Sequence, residues 1–174
     1  MTMYQTLANI GSKLIGPEKL FKHGFNLSPM YRRSTGRIQS VSDGLYEITV
    51  KIPHSYKNKN YVGSIFGGSM FSAVDPIPMI QLMTILENKY IVWDKSAEIR
   101  FKKPAREDLY AYFEFSREEI TSIKKHVDAV GEFEMTKTTL LTNKDKDKQY
   151  CEVKKTIYIA TKNHFKQKQS KRSR

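Results

Sequence analysis

Asn60, Gly67, Gly68 and Asp75 stand in the spacing N-x6-G-G-x6-D within NYVGSIFGGSMFSAVDPIPMIQLMTIL, residues 60–86. Hydrolysis at a carbonyl puts negative charge on the carbonyl oxygen. It also needs a base to activate water, or a carboxylate that attacks directly. Backbone N–H groups at a helix amino terminus are free donors with the positive end of the dipole behind them. Glycine there lets a ligand approach the backbone with no Cβ in the way. Gly67 and Gly68 are therefore candidate oxyanion donors. Asp75 is the candidate base or nucleophile, and Asn60 a side-chain amide able to orient water or the carbonyl. Each also has a plainer reading. A glycine pair is commonly a tight turn, and a lone Asn a turn residue. Asp75 with Pro76 reads as an N-cap and the first position of a fresh helix.

The element that must carry these residues runs from Ile65 to Leu86. Its apolar side chains cover every face of a 3.6-residue helix, which predicts a helix at the buried centre of a domain. Asp75 interrupts that run, and a charge in apolar surroundings is costly without a partner or a task. Pro76 and Pro78 remove amide donors and predict a kink or a restart. Asp75 follows Gly67 by eight residues, so the two are roughly 12 Å apart along a helix at ~1.5 Å per residue. One helix cannot bring both to a single carbonyl. If both act on one substrate, they come from two chains packed with these helices antiparallel.

Strands surround this helix. Arg37 to Ser42 reads as a weak strand, followed by an Asp43-Gly44 turn. In LYEITVKI the apolar Tyr46, Ile48, Val50 and Ile52 alternate with polar residues, the period of a half-buried strand. Two further strands, Tyr90–Lys103 and Leu109–Ser116, join through the turn 104–108. Ser116 and Glu119 form a capping box ahead of a surface helix lined by Ile120, Ile123, Val127 and Val130 and closed by Gly131. A final hairpin, 132–142 and 150–161, turns at NKDKDK, and its last strand alternates through Cys151, Val153, Ile157 and Ile159. A single antiparallel sheet wrapped around one helix satisfies every apolar face, with an open α+β sandwich as runner-up. Residues 1–28 read as a helical extension, with one or two short helices in 3–23, the second from Pro17, and a loop from Gly24. Residues 29–161 read as the domain.

The 174 residues suit one domain, at 39% hydrophobic and 28% charged. Net charge is +12, and half of it sits on the last 13 residues, which carry six cations and no acid. That tail, 162–174, reads as disordered and solvated. A grip on nucleic acid is the less favoured reading, since no aromatic-rich motif accompanies it. The single cysteine allows no disulfide within the chain, and no stretch reads as a transmembrane or secretory segment, so a cytoplasmic setting is expected.

Element order and the Asn, Gly-Gly, Asp spacing resemble the hot-dog-fold acyl-CoA thioesterase superfamily over roughly residues 29–161. The nearer likeness is to an uncharacterised thioesterase-like branch, a domain of unknown function, through NYVGSIFGGSMF, the Asp75-Pro76 pair and YIVWDKSAEIRFKKPA at 90–105. The resemblance implies an α+β hot-dog fold and a homodimer, with pairing into tetramers open, and active sites along the dimer interface. It implies hydrolysis of an acyl-CoA thioester, with coenzyme A as part of the substrate and no metal or other cofactor. Phe66 stands where better-known members often carry histidine, which removes one polar contact to the thioester. That departure motivates the alternative of a non-catalytic module that binds acyl-CoA or a fatty acyl group.

Other residues are assigned on weaker signals. Phe66, Phe71 and Trp93 are expected to line an acyl pocket, with Trp93 equally a packing residue. Lys102, Lys103 and Arg106 cluster at one strand end and can meet coenzyme A phosphates, or form a solvated turn. The four histidines share no metal-ligand spacing. Cys151 lies on an apolar strand face and reads as core.

Overall fold

In the computed structural model, residues 16–172 are described. The helix expected before Gly16 lies outside them. Helix α1 (Pro17–Leu27) starts with proline in its first turn, as that residue's fixed φ and missing N–H favour. It runs through Gly24, where the sequence reading ends it in a loop. Tertiary contacts hold the extra turn. Phe25 packs on Phe21 and Tyr31, with ring centroids 4.7 and 5.1 Å away. The Asn26 side chain exchanges two 2.9 Å hydrogen bonds with the backbone of Ile38. A short α2 (Pro29–Arg33) follows and buries Tyr31 completely.

Among the described residues six strands form one antiparallel sheet in the order β1-β2-β4-β5-β6-β3. They are β1 (Arg37–Val41), β2 (Glu47–Ile52), β3 (Tyr90–Phe101), β4 (Leu109–Glu114), β5 (Glu132–Thr142) and β6 (Gln149–Thr161). β1 and β2 join through a 3-10 turn in which Gly44 has φ 68°. Ile48, Val50 and Ile52 are buried along β2 as the alternation predicts. β4 and β5 pair at only two positions, Tyr110 with Thr142 and Ala111 with Leu141. There the sheet hangs by one end and bends around the helices.

The long central helix is two helices end to end, α3 (Gly67–Val74) and α4 (Ile77–Ile85). Proline causes the break. Pro76 and Pro78 have no N–H to offer the carbonyls of the preceding turn. α3 packs Met70, Ala73 and Val74 with buried residues of β1, β2, β4 and β6, and Ile77 joins this cluster. α4 packs Leu82, and Leu86 beyond its end, with Val92, Ile157 and Ile159. Helix α5 (Arg117–Val130) adds Ile120, Ile123 and Val127 to that second cluster. Its N-cap forms as predicted, Ser116 Oγ accepting the Glu119 N–H at 3.0 Å, while Val130 is 60% exposed and falls off the apolar face.

The basic tail is a helix through the described residues, α6 (Lys162–Arg172), not a disordered segment. Its composition gave no reason to fold, but its partners do. Phe165 meets Trp93 edge-on at 4.9 Å. Lys168 Nζ donates to Glu132 Oε2 at 2.5 Å, and His164 Nε2 lies 3.5 Å from the same oxygen. Among the described residues no helix is long and apolar enough to cross a membrane.

Candidate active site

The approach to α3 is built by the loop between β2 and Gly67. Buried Asn58 organises it: Nδ2 donates to Thr35 Oγ1 at 2.7 Å and to the Pro53 carbonyl at 2.8 Å, and Oδ1 accepts the Ser55 N–H. Asn60 closes the next turn. Its Oδ1 accepts the N–H groups of Val62 and Ser64 at 3.1 Å, and its Nδ2 donates to Ser64 Oγ at 2.9 Å. Asn60 thus spends its amide on the 60–64 turn. Phe66 N–H donates to the Asn58 carbonyl at 2.7 Å and Ile65 N–H to the Ala105 carbonyl at 2.8 Å, which fixes where α3 begins.

At that beginning the first amides of the helix are free of intrahelical acceptors. Two exposed aromatic rings roof them. A Cβ on Gly67 would lie 2.6 Å from the Phe101 ring, and one on Gly68 would lie 2.2 Å from the Phe66 ring. Phe66 and Phe101 are 58% and 57% exposed. A side chain at either glycine would have to push one of these exposed rings aside. Phe71, one turn on, is half-buried against the core.

Asp75 closes the far end of α3, its N–H donating to the Phe71 carbonyl at 2.8 Å. The carboxylate does not cap α4, which has no side-chain N-cap bond. Lys155 takes it instead. Lys155 Nζ donates to Asp75 Oδ1 and to the Asp75 carbonyl oxygen, each at 2.6 Å, and also to Asp94 Oδ2. Tyr31 Oη donates to the Ala73 carbonyl at 2.8 Å. A phenol and an ammonium therefore satisfy carbonyls that the proline break leaves without helical donors, and a cation suits the negative end of a helix dipole.

Asp75 is accordingly neither alone nor enclosed by apolar groups. Its side chain is 42% exposed, against 3% for Lys155 and 25% for Asp94. The exposed carboxylate is tied down from beneath by a buried ammonium. Asp94 is aimed at Lys155 by an irregularity in β3, where the register with β6 shifts between Asp94 and Ser96. Burial pushes the Asp94 carboxyl above its usual range, opposed by the bond from Lys155 and reinforced by the Asp75 charge. Asp94 Oδ1 is buried without a hydrogen-bond partner among the described residues.

The cationic cluster lies beside the Gly67 end, where Ala105 holds the loop into α3. Lys102 pairs with Glu152 at 3.4 Å, Lys103 sits 5.1 Å from the Tyr150 ring centroid, and Arg106 donates to the Val62 carbonyl at 3.3 Å. Trp93 is elsewhere. Val92 and Asp94 face the helices, so alternation turns Trp93 to the other side of the sheet. There it stacks on Tyr158 at 4.8 Å under α6. It lines a cavity of about 420 Å³ with Phe165 and Lys168, not the surface around Asp75. Cys151 is fully buried, its thiol pushed up to about 11 by burial, as a core residue should be.

One antiparallel sheet around a proline-broken central helix defines the fold class: α+β, of the hot-dog type. Within that class the chain belongs to the family described as Domain of unknown function (DUF4442), whose model matches residues 17–159. Similar solved structures include a Pseudomonas aeruginosa protein of unknown function described as a probable thioesterase. It is 18% identical over 82% of this chain and 95% of that one, with a TM-score of 0.73. A Chlorobaculum tepidum protein of unknown function is 18% identical over 82% and 93%, with a TM-score of 0.65. Zebrafish thioesterase superfamily member 2 is 18% identical over 83% and 96%, with a TM-score of 0.58. At such identities these likenesses carry the fold. No curated protein matches the chain in sequence.

Proposed function

We propose that the chain is an acyl-CoA thioesterase working as a homodimer. Each site would pair Asp75 of one protomer with the Gly67 and Gly68 amides of its partner. The observation that supports this is the geometry of one helix: a half-exposed Asp75 at its carboxyl end, and at its amino end the Gly67 and Gly68 amides beside two exposed rings. α3 has eight residues, so its ends stand ~12 Å apart. A second, antiparallel copy would bring one carboxylate to one pair of amides.

In such a site Asp75 takes a proton from water as the oxygen adds to the thioester carbon. The amides hold the oxyanion. Collapse of the tetrahedral intermediate breaks the C–S bond, the proton passes from Asp75 to the sulfur, and a carboxylic acid and coenzyme A leave. As nucleophile, Asp75 would instead displace the thiolate and form an anhydride that water then hydrolyses. Lys102, Lys103 and Arg106 flank the amide end and suit the phosphates of coenzyme A.

Thiol release from a panel of acyl-CoAs tests the activity. Asp75→Asn is expected to lower kcat by about 10²–10⁴-fold, the usual contribution of a general base, with the assembly intact. Unchanged turnover in that variant removes Asp75 from the mechanism. A second reading has its own observation. The rings of Phe66 and Phe101 crowd the space above the glycine amides, which suits a module that binds an acyl-CoA without cleaving it. Saturable acyl-CoA binding with no thiol released would select that reading.

A further inference from the structure

We propose that Lys155 is the positioning residue of this site: held by Asp94, its ammonium fixes the orientation of the Asp75 carboxylate at the end of α3. The catalytic part of this inference rests on the reading of Asp75 given above; the anchoring itself does not.

Lys155 sits in β6 on the face that buries Val153, Ile157 and Ile159, where the strand period calls for an apolar residue. An ammonium buried to 3% exposure is costly unless each donor finds an acceptor. Lys155 has three N–H donors and three acceptors: Asp75 Oδ1, the Asp75 carbonyl and Asp94 Oδ2. Two of the three belong to Asp75, so side chain and backbone are gripped together. That grip ties the carboxylate to the sheet while its side chain stays 42% exposed. The charged groups that face one another here are Asp75 from the end of α3, Lys155 from β6 and Asp94 from β3. Without the ammonium, two carboxylates would share one site, and one would take up a proton. The buried partnerless oxygen of Asp94 makes Asp94 the costlier charge. Lys155 therefore offsets the buried Asp94 charge and holds the Asp75 carboxylate in place with the same ammonium.

A residue that only tied the helix break to the sheet would affect stability alone, so the test reads charge. The Asp94 carboxyl is titrated by ¹³C NMR in the full chain, in Lys155→Met and in Asp75→Asn. The midpoint is expected to rise in Lys155→Met, which loses the ammonium, and to fall in Asp75→Asn, which loses the like charge. Asp75→Asn changes an exposed group and carries the test if Lys155→Met does not fold. An Asp94 midpoint unmoved in Asp75→Asn overturns the proposal. In acyl-CoA hydrolysis, Lys155→Met is expected to lower kcat by about 10²-fold with KM little changed, the scale of a misplaced reacting group. Lys155→Arg, which keeps a cation at this position, recovers part of the rate. A lower melting temperature with kcat unmoved also overturns the proposal. Coupled titration in a chain with no turnover supports the anchoring and sinks the hydrolase reading.

Discussion

At the scale of single residues, Lys155 and Glu132 show how charges are organised around the sheet. Lys155 was missed in the sequence reading, although the strand pattern holds a signal for it. The stripe Cys151, Val153, Ile157, Ile159 skips a position, and the skipped residue is a lysine facing the core. Asp75 was legible as a residue needing a partner, but the partner lies 80 positions away, where no local pattern points to it. Glu132 lies on the other side of the sheet. Its carboxyl is held down to about 2, first by the hydrogen bond from Lys168 and then by that from Tyr158. A folded-state value below the ordinary 4.5 means the contact is fully stabilising above about pH 4.5 and is lost as pH falls toward about 2. Lys168 belongs to α6, so acid should loosen that helix from the sheet. The chain's one tryptophan, Trp93, lies beneath α6 and reports on it. Its emission is expected to change between about pH 4.5 and 2 in the unaltered chain. Glu132→Gln should abolish that transition while retaining any acid response of the rest of the fold. An unaltered emission profile in that variant would place the acid sensitivity elsewhere.

Elements were legible where one local rule sufficed. The β2 alternation, the Asp43-Gly44 turn and the Ser116 cap each follow from neighbours in sequence. The final turn of α1 and the helical tail were not, because distant contacts hold them: Asn26 on Ile38, Phe165 on Trp93. The all-round apolar run hid the division at Asp75-Pro76, since hydrophobic period is blind to missing amide donors and only the prolines signalled it. Gly131 belongs to the legible group and carries a second, unforeseen constraint. It ends α5 at φ 96°, with its N–H donating to the Val127 carbonyl at 2.8 Å. A Cβ there would also lie 2.4 Å from the His164 ring of α6. Gly131→Ala combines left-handed strain with displacement of that ring. It is expected to cost about 1–2 kcal/mol, read as a lower midpoint in thermal or urea unfolding. An alanine at Gly24, which has open space around its Cβ position and no left-handed backbone, should not destabilise the chain. Equal destabilisation at both sites would refute the argument from backbone and space.

At the scale of the whole molecule, the sheet's two edges are treated differently. On β1 the side-chain amide of Asn26 bonds both the N–H and the C=O of Ile38, as a neighbouring strand would. β3 is twelve residues long, pairs only with β6 and exposes Trp93, Ala97 and Phe101. A long open edge with apolar side chains invites another chain. A second copy across it would be isologous, each protomer presenting the same surface. Phe101 links that edge to chemistry, since its ring lies over Gly67. A site shared between protomers makes a demand that a site within one chain does not. Asp75→Asn removes the carboxylate half. Gly67→Val blocks the amide half, because a branched side chain there bars a ligand from close approach to the backbone. Each variant alone should be inactive in both sites of its dimer. Unfolded together and refolded as a mixture, half of the dimers would contain one of each. In those, the Asp75 of the Gly67→Val chain faces the intact glycines of the Asp75→Asn chain, while the other site is doubly defective. The mixture should then recover about a quarter of the unaltered activity, a consequence of two-fold symmetry and random pairing. Recovery should vanish when the two variants are mixed without exchange of protomers. If refolded mixtures stay as inactive as their components while sedimentation shows that dimers have formed, then Asp75 and the glycine amides do not meet across the interface.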